Sequence, residues 1–206
     1  MVTATNKVSR RERSVQIRSD LLAAAESMLG RKGFERTTIS DITKQAGLGF
    51  GTFYRYFPSK EEIYQELVAE GLNVLTEAVD QRCGRTDEPR ARVRAIVHEV
   101  VHFASERSDL FLLLSASDGG VREAVRRGVR RLSRCLRGWL EPGFANGAFR
   151  PVDPALAVHA LIGMHAFVLR PWLYDRTMDE RHLEESLMRL AEGALLNTSE
   201  QLASGD

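Results

Sequence analysis

Three stretches of this chain hold residues whose types and spacing suit chemistry. His98-Glu99-Val100-Val101-His102 fits the pattern H-E-x-x-H, in which two imidazoles one helical turn apart hold zinc and the intervening carboxylate acts as a general base. Arg122, Arg126, Arg127, Arg130, Arg131, Arg134 and Arg137 lie close together with a single acid, Glu123. Such a run is either a solvated helix face, with like charges one turn apart costing a few tenths of a kcal/mol each, or a seat for an anionic group. The third stretch follows Gly47: Gly51, Thr52, Tyr54, Arg55, Tyr56 and Lys60 bring small, hydroxyl-bearing, aromatic and basic side chains to one short segment. That is the mixture a helix needs to enter a DNA major groove about 12 Å wide.

The zinc reading makes a metallohydrolase of the chain, with His98 and His102 as ligands and Glu99 as base. No third His or Glu ligand stands at the distance such enzymes use, and the five-residue pattern recurs by chance in helices. Buried histidines or polar contacts to a ligand account for the pair better, so no catalytic residue, metal or cofactor is expected. A helical binding module with a vestigial head is a further alternative, and it predicts no salt-dependent DNA affinity.

Charge distribution favours the groove-binding segment as the functional one. The chain of 206 residues has 29 Lys and Arg against 28 Asp and Glu, yet residues 1–60 carry net +6 and the rest net −5. A polyanion-binding head on an acidic body has this asymmetry. With 43% hydrophobic residues the chain can bury a core, which excludes wholesale disorder. Two widely separated cysteines, Cys83 and Cys135, exclude a disulfide scaffold and suit a reducing compartment. The polar, basic first residues lack the apolar core of a secretory signal, so a cytoplasmic location is expected. The most apolar stretch, 155–169, falls short of the roughly 20 residues a bilayer requires. It is expected to be a buried helix of a soluble protein, with no membrane partner.

Apolar positions recur at helical spacing along almost the whole chain, and alternating β-branched runs are absent, which predicts an all-α fold of about nine helices. The expected spans are 14–31, nine residues from Thr38, 49–57, a long helix capped by Ser59 and Glu62 to about residue 82, 89–107, 110–116, 121–140, 154–169 and 179–196. Loops are expected at 84–89, 118–120, 142–143 and 150–154. The corresponding organisation is a basic flexible arm over 1–13, a helix-turn-helix head over 14–60, an effector-binding and dimerisation body over 61–197 and a frayed tail over 198–206.

The succession Thr37-Thr38-Ile39-Ser40-Asp41-Ile42, Ala46-Gly47-Leu48, Gly51-Thr52-Phe53-Tyr54-Arg55-Tyr56-Phe57 and Ser59-Lys60-Glu61 closely resembles the head of the tetracycline-repressor (TetR) family of transcriptional regulators. The resemblance covers roughly residues 15–65. It implies a ligand-responsive repressor, not an enzyme, that binds a near-palindromic operator in double-stranded DNA as a dimer and is released by a small molecule. It also implies that Thr38, Tyr54 and Lys60 hold phosphates while Thr52, Arg55 and Tyr56 sit in or beside the major groove. Phosphate contacts set register and base-edge contacts choose sequence. The pattern departs from the family at Gly49 and Phe50, where Ser and Lys are frequent. Phe50 either meets a thymine methyl or packs beside Phe57. The basic residues Lys7, Arg10, Arg11 and Arg13 either follow phosphates, reach an adjacent minor groove, or belong to a solvated tail.

A single recognition helix binds too weakly to act alone, so a two-fold dimer is required. The last two helices provide the surface, with Leu183, Leu187, Leu190 and Ala194 on one stripe and Gly163 and Gly193 permitting close approach, in a four-helix bundle. Phe103, Phe111, Trp139, Met164, Phe167 and Trp172, with His98, His102 and His165, form a candidate wall for an effector pocket. Its occupant is expected to be apolar or amphipathic, for example an acyl-coenzyme A thioester whose phosphates meet the arginine run.

Overall fold

The computed structural model describes residues 9–115 and 122–197, and among them the chain is all-helical. The helices are α1 (Arg10–Lys32), α2 (Ile39–Gln45), α3 (Phe50–Phe53), α4 (Lys60–Cys83), α5 (Pro89–Glu106), α6 (Ser108–Leu114), α7 (Arg122–Ala145), α8 (Pro154–Asp175) and α9 (Glu180–Leu195). An isolated bridge between Phe149 and Leu196 ties the turn after α7 to the end of α9.

Helix α1 begins four residues before the expected start. Ser9 caps it, accepting from the Glu12 amide while the Glu12 carboxylate accepts from the Ser9 amide. This capping box satisfies two of the end amides that a helix leaves unpaired. Arg10, Arg11 and Arg13 therefore stand on an exposed helical turn and not in an arm, while Lys7 lies outside the described residues. Leu21, Ala25 and Leu29 bury the inner face of α1, and Gly33, at φ 80°, ends it.

The expected stops at Pro142 and after Leu169 are both overrun. Helix α7 continues through Pro142 to Ala145, and α8 continues through Pro171 to Asp175. A proline inside a helix costs the bond to the carbonyl four residues earlier. Those carbonyls belong to Gly138 and Phe167, both exposed residues, so water can take the place of the lost donor. The other expected helices stand within a few residues of their predicted bounds, except that α3 is a single turn. The expected loop at 118–120 and the tail at 198–206 lie outside the described residues.

Helix α4 joins head and body, burying Ile63, Tyr64, Leu67, Leu72, Leu75 and Val79 in one core continuous from α1 to α9. Tyr64 meets Phe34 of the head edge-on at 5.2 Å. Helix α6 seats its first turn against Gly30 of α1 so closely that a Cβ there would lie 2.2 Å from the Asp109 carbonyl oxygen. Beside it the Arg107 guanidinium reaches both carboxylate oxygens of Glu26, at 3.1 and 2.8 Å. Head and body thus meet through backbone packing and a bidentate ion pair.

Candidate functional site

The segment from Thr38 to Phe57 is built to expose one short helix. Thr38 caps α2: its hydroxyl accepts the Asp41 amide at 3.1 Å, and the Asp41 carboxylate accepts the Thr38 amide at 3.0 Å. The backbone bond from Thr38, followed by its hydroxyl, holds the Asp41 carboxyl below its usual range. After α2 the chain turns at Gly47, whose φ of 65° suits a residue without a Cβ. Phe53 and Phe57 are fully buried and pin α3 to the head, with the Arg18 guanidinium 5.0 Å from the Phe57 ring centre.

The opposite face of α3 is open. Phe50 is 54% exposed and Tyr54 52%, their rings edge to face at 5.7 Å. Gly51 and Arg55 are exposed, and Thr52 and Tyr56 are half-buried. Arg55 forms no side-chain hydrogen bond or ion pair among the described residues. Of the two readings of Phe50, packing beside Phe57 does not match this exposure. Lys60 is differently placed: its ammonium donates to the carbonyls of Phe34 at 2.7 Å and Thr37 at 2.8 Å, and lies 4.2 Å from the centre of the Phe34 ring. Two of its three donors thereby close the α1–α2 turn, leaving one for a phosphate. The Thr38 hydroxyl is also engaged, donating to Asp41 at 2.9 Å.

In the body, an apolar cavity of about 80 Å³ lies among α4, α5, α6, α7 and α8, with Leu72, Phe111, Leu132, Leu136, Ile162 and His165 in its wall. The side chain of His165 is almost completely buried. Its Nδ1 is 2.7 Å from the Leu161 carbonyl, which can only accept, so the ring hydrogen is on Nδ1. Nε2 has no partner among the described residues. Burial holds the imidazole pKa below its usual 6.5, with the Leu161 carbonyl opposing that shift in part.

Next to the cavity, and sharing Val129 with it, a groove of about 520 Å³ runs between α7 and α8. Arg127, Arg130, Arg134 and Arg137 line it together with His159 and Ser133, whose buried hydroxyl has no partner among the described residues. Arg130 pairs with Glu123 at 2.8 Å and holds that carboxyl below its usual range. No carboxylate pairs with Arg127, Arg134 or Arg137 among the described residues.

The nine residues expected to share a pocket wall are dispersed. Only Phe111 and His165 line the apolar cavity. Phe103 is buried in the core, and the buried Trp172 donates its indole N–H to the Met178 carbonyl at 2.8 Å. Trp139 donates to Asp80 at 2.9 Å in a groove between α4 and α7. Met164 lines a groove between α8 and α9, and Phe167 is 84% exposed. His98 and His102 stack 6.0 Å apart at the α5–α9 boundary, with His98 Nδ1 2.9 Å from Glu184. Glu99 of the H-E-x-x-H segment is paired with Arg82, so its carboxylate does not face a ligand site between the two imidazoles. The aliphatic lining from α4 and α7 was missed, because Leu72, Val129, Leu132 and Leu136 carry no pattern that separates a cavity wall from plain core.

Helix α8 is 22 residues long and, by length and composition, is the one helix among the described residues able to cross a membrane, with a third of its apolar window buried. It is less buried than its sequence implies because one face is open. Leu156 is 66% exposed and Leu190 of α9 58%, while a Cβ on Gly163 or Gly193 would meet nothing within 4 Å. An apolar groove of about 250 Å³, with Ala160, Met164 and Ala194 in its wall, separates the two helices.

Comparison with known proteins agrees with this architecture. The family described as bacterial regulatory proteins, tetR family, matches residues 21–67, and the tetracyclin repressor-like C-terminal domain matches residues 86–191. The HTH-type transcriptional regulator HbdR of Aromatoleum sp. (strain CIB) is 24% identical over 181 residues, covering 85% of this chain and 79% of its own. The crystal structure of the transcriptional regulator FadR from Bacillus subtilis in complex with stearoyl-CoA is similar at a TM-score of 0.74 and 22% identity, covering 84% of this chain and 96% of that one. AibR, solved in complex with isovaleryl coenzyme A and operator DNA, is similar at a TM-score of 0.74 and 17% identity, covering 84% and 97%.

Proposed function

This chain belongs to the tetR family of bacterial regulatory proteins, and from that membership we propose that it represses transcription as a cytoplasmic homodimer bound to a near-palindromic operator. The observation that carries the reading is the open face of α3. Phe50, Gly51, Thr52, Arg55 and Tyr56 meet base edges, with Arg55 suited to a bidentate guanine contact and Phe50 to a thymine methyl. Tyr54 and the remaining donor of Lys60 hold phosphates, and Thr38 joins them only by exchanging its hydroxyl's bond to Asp41 for one to the phosphate. Arg10, Arg11 and Arg13, on the first turn of α1, add charge to the same basic head. Residues 10–60 act as the DNA-binding head and 61–197 as the body.

Dimerisation uses the open apolar face of α8 and α9, where the exposed leucines lose water and the glycines admit the partner's helices. The effector is amphipathic: its apolar part enters the cavity beside Phe111 and its anionic part meets Arg127, Arg134 and Arg137 across Val129. An acyl-coenzyme A thioester has this division, and such thioesters are bound in the FadR and AibR structures. The body's role is binding and not catalysis.

Coupling runs through α6. Phe111 and Leu114 line the cavity, while the first turn of the same helix rests on Gly30 of the head. A ligand that enlarges the cavity displaces α6 and with it α1, changing the separation of the two heads. Coupling energies of this kind are about 1–3 kcal/mol. Footprinting the full chain on DNA flanking its own gene, with and without a short-chain acyl-coenzyme A, tests the reading. A symmetric footprint that disappears on adding the thioester is expected, whereas a footprint indifferent to it removes the proposed effector class.

A further inference from the structure

The wall of the apolar cavity holds one acceptor with nothing to accept from among the described residues. His165 is 3% exposed, and the Leu161 carbonyl at 2.7 Å fixes the ring hydrogen on Nδ1, so the Nε2 lone pair is the atom left without a partner. The opposite tautomer would set two lone pairs against each other at that distance. Of the other polar groups in the wall, the Ser115 hydroxyl is already donated to the Phe111 carbonyl at 2.7 Å. Leu72, Leu132, Leu136 and Ile162 supply nothing that Nε2 can use.

A buried polar atom left without a partner in a native structure calls for a ligand, a water or a strain that explains it. We propose that His165 is the polar anchor of the effector cavity and that the part of the effector entering it is an apolar skeleton carrying a hydroxyl or N–H donor. An ether, ketone or ester oxygen at the same position would oppose its lone pair to that of Nε2. This inference rests on the reading of the cavity as an effector site and narrows it to ligands with a donor at their buried end. At about 80 Å³, roughly half the 150 Å³ of an engineered cavity that takes up benzene, the unliganded cavity suits a short chain of a few heavy atoms. A single water on Nε2 is the alternative occupant, because an otherwise apolar wall gives further waters nothing to bond to.

The test uses two isomers of equal composition, 1-butanol, which donates, and methyl propyl ether, which does not. Each is titrated into the full chain labelled with ¹⁵N-histidine, reading the His165 Nε2 resonance and the dissociation constant. The free protein is expected to show the Nδ1–H tautomer, and 1-butanol to shift the Nε2 resonance and bind about tenfold more tightly than the ether. His165→Leu is expected to bind the two alike, and His165→Gln, which keeps an acceptor, to restore part of the preference. Equal binding of the isomers by the unaltered chain overturns the anchor alone. A Nε2 resonance already shifted by bound water and unmoved by 1-butanol does the same. If neither isomer binds, the cavity is no effector site and both readings fall, whereas operator binding, measured on the same samples, is independent of all three results.

Discussion

Replacing Gly30 by Ala probes the contact through which the body is argued to move the head. In a helix interior open to solvent, this change stabilises by up to about 1 kcal/mol, because Gly loses more backbone freedom on folding. At Gly30 the new Cβ would lie 2.2 Å from the Asp109 carbonyl oxygen and 2.7 Å from its carbon, where ordinary contact begins near 3.4 Å. Backbone cannot rotate away as a side chain can, so α6 must retreat by about 1 Å. Overpacking of this kind costs about 1–3 kcal/mol and more when the neighbour is rigid. The expected net destabilisation is about 2 kcal/mol, which lowers Tm by about 4–8 °C in a chain of this size. Gly138 of α7, whose Cβ would meet nothing within 4 Å, is the control, and Gly138→Ala should gain a few tenths to 1 kcal/mol. Urea unfolding followed by circular dichroism, at constant m, measures both. A Gly30 variant as stable as the Gly138 variant would refute the close seating of α6 on α1 and the coupling route built on it.

Arg55→Ala should weaken operator binding by about 1–3 kcal/mol with little change in Tm, because its guanidinium has no partner among the described residues. Phe50→Ala, at a ring 54% exposed, should leave stability within about 0.5 kcal/mol while relaxing preference at A·T positions; lost stability with unchanged preference would return Phe50 to a packing role. Replacing Arg134 and Arg137 by Ser should abolish operator release by an acyl-coenzyme A without weakening operator binding, and unaltered release would dismiss the arginine groove as its seat. Stability should fall as pH drops below 6.5: the depressed pKa of His165 means that in this window the unfolded chain takes up a proton the folded chain refuses. His165→Leu should flatten that part of the unfolding curve, and an unchanged slope would assign it to other groups.

Where function was concerned, the sequence was most informative when chemistry is local. The Thr38–Asp41 capping box, the turn at Gly47 and the burial of Phe53 and Phe57 opposite Thr52 and Arg55 all follow from neighbours a few residues apart, whereas the exposure of Phe50 was one of two readings the sequence left open. Lys60 shows the limit. Its charge and position resemble a phosphate contact, but the carbonyls that bind it belong to Phe34 and Thr37, more than twenty residues earlier. The apolar cavity proposed for the effector was hidden for the same reason. Aromatic residues attract attention in a sequence, yet the wall is mostly aliphatic and assembled from five helices, and Phe167 and Trp139 point elsewhere. The ends of α7 and α8 were expected too early, at 140 and 169, because whether a carbonyl facing a proline can be rehydrated depends on exposure, a tertiary property. Conversely, the H-E-x-x-H segment is complete in sequence, yet Arg82, on another helix, pairs with its Glu99.

Binding of the purified chain to DNA flanking its own gene, against shuffled DNA of the same composition and across a salt series, decides whether α3 reads an operator. The account predicts selective binding at two protomers per site, with affinity falling by several powers of ten between about 50 and 200 mM salt as six or more phosphate contacts release their counterions. Weak binding, indifferent to sequence and with one protomer per site, would contradict it.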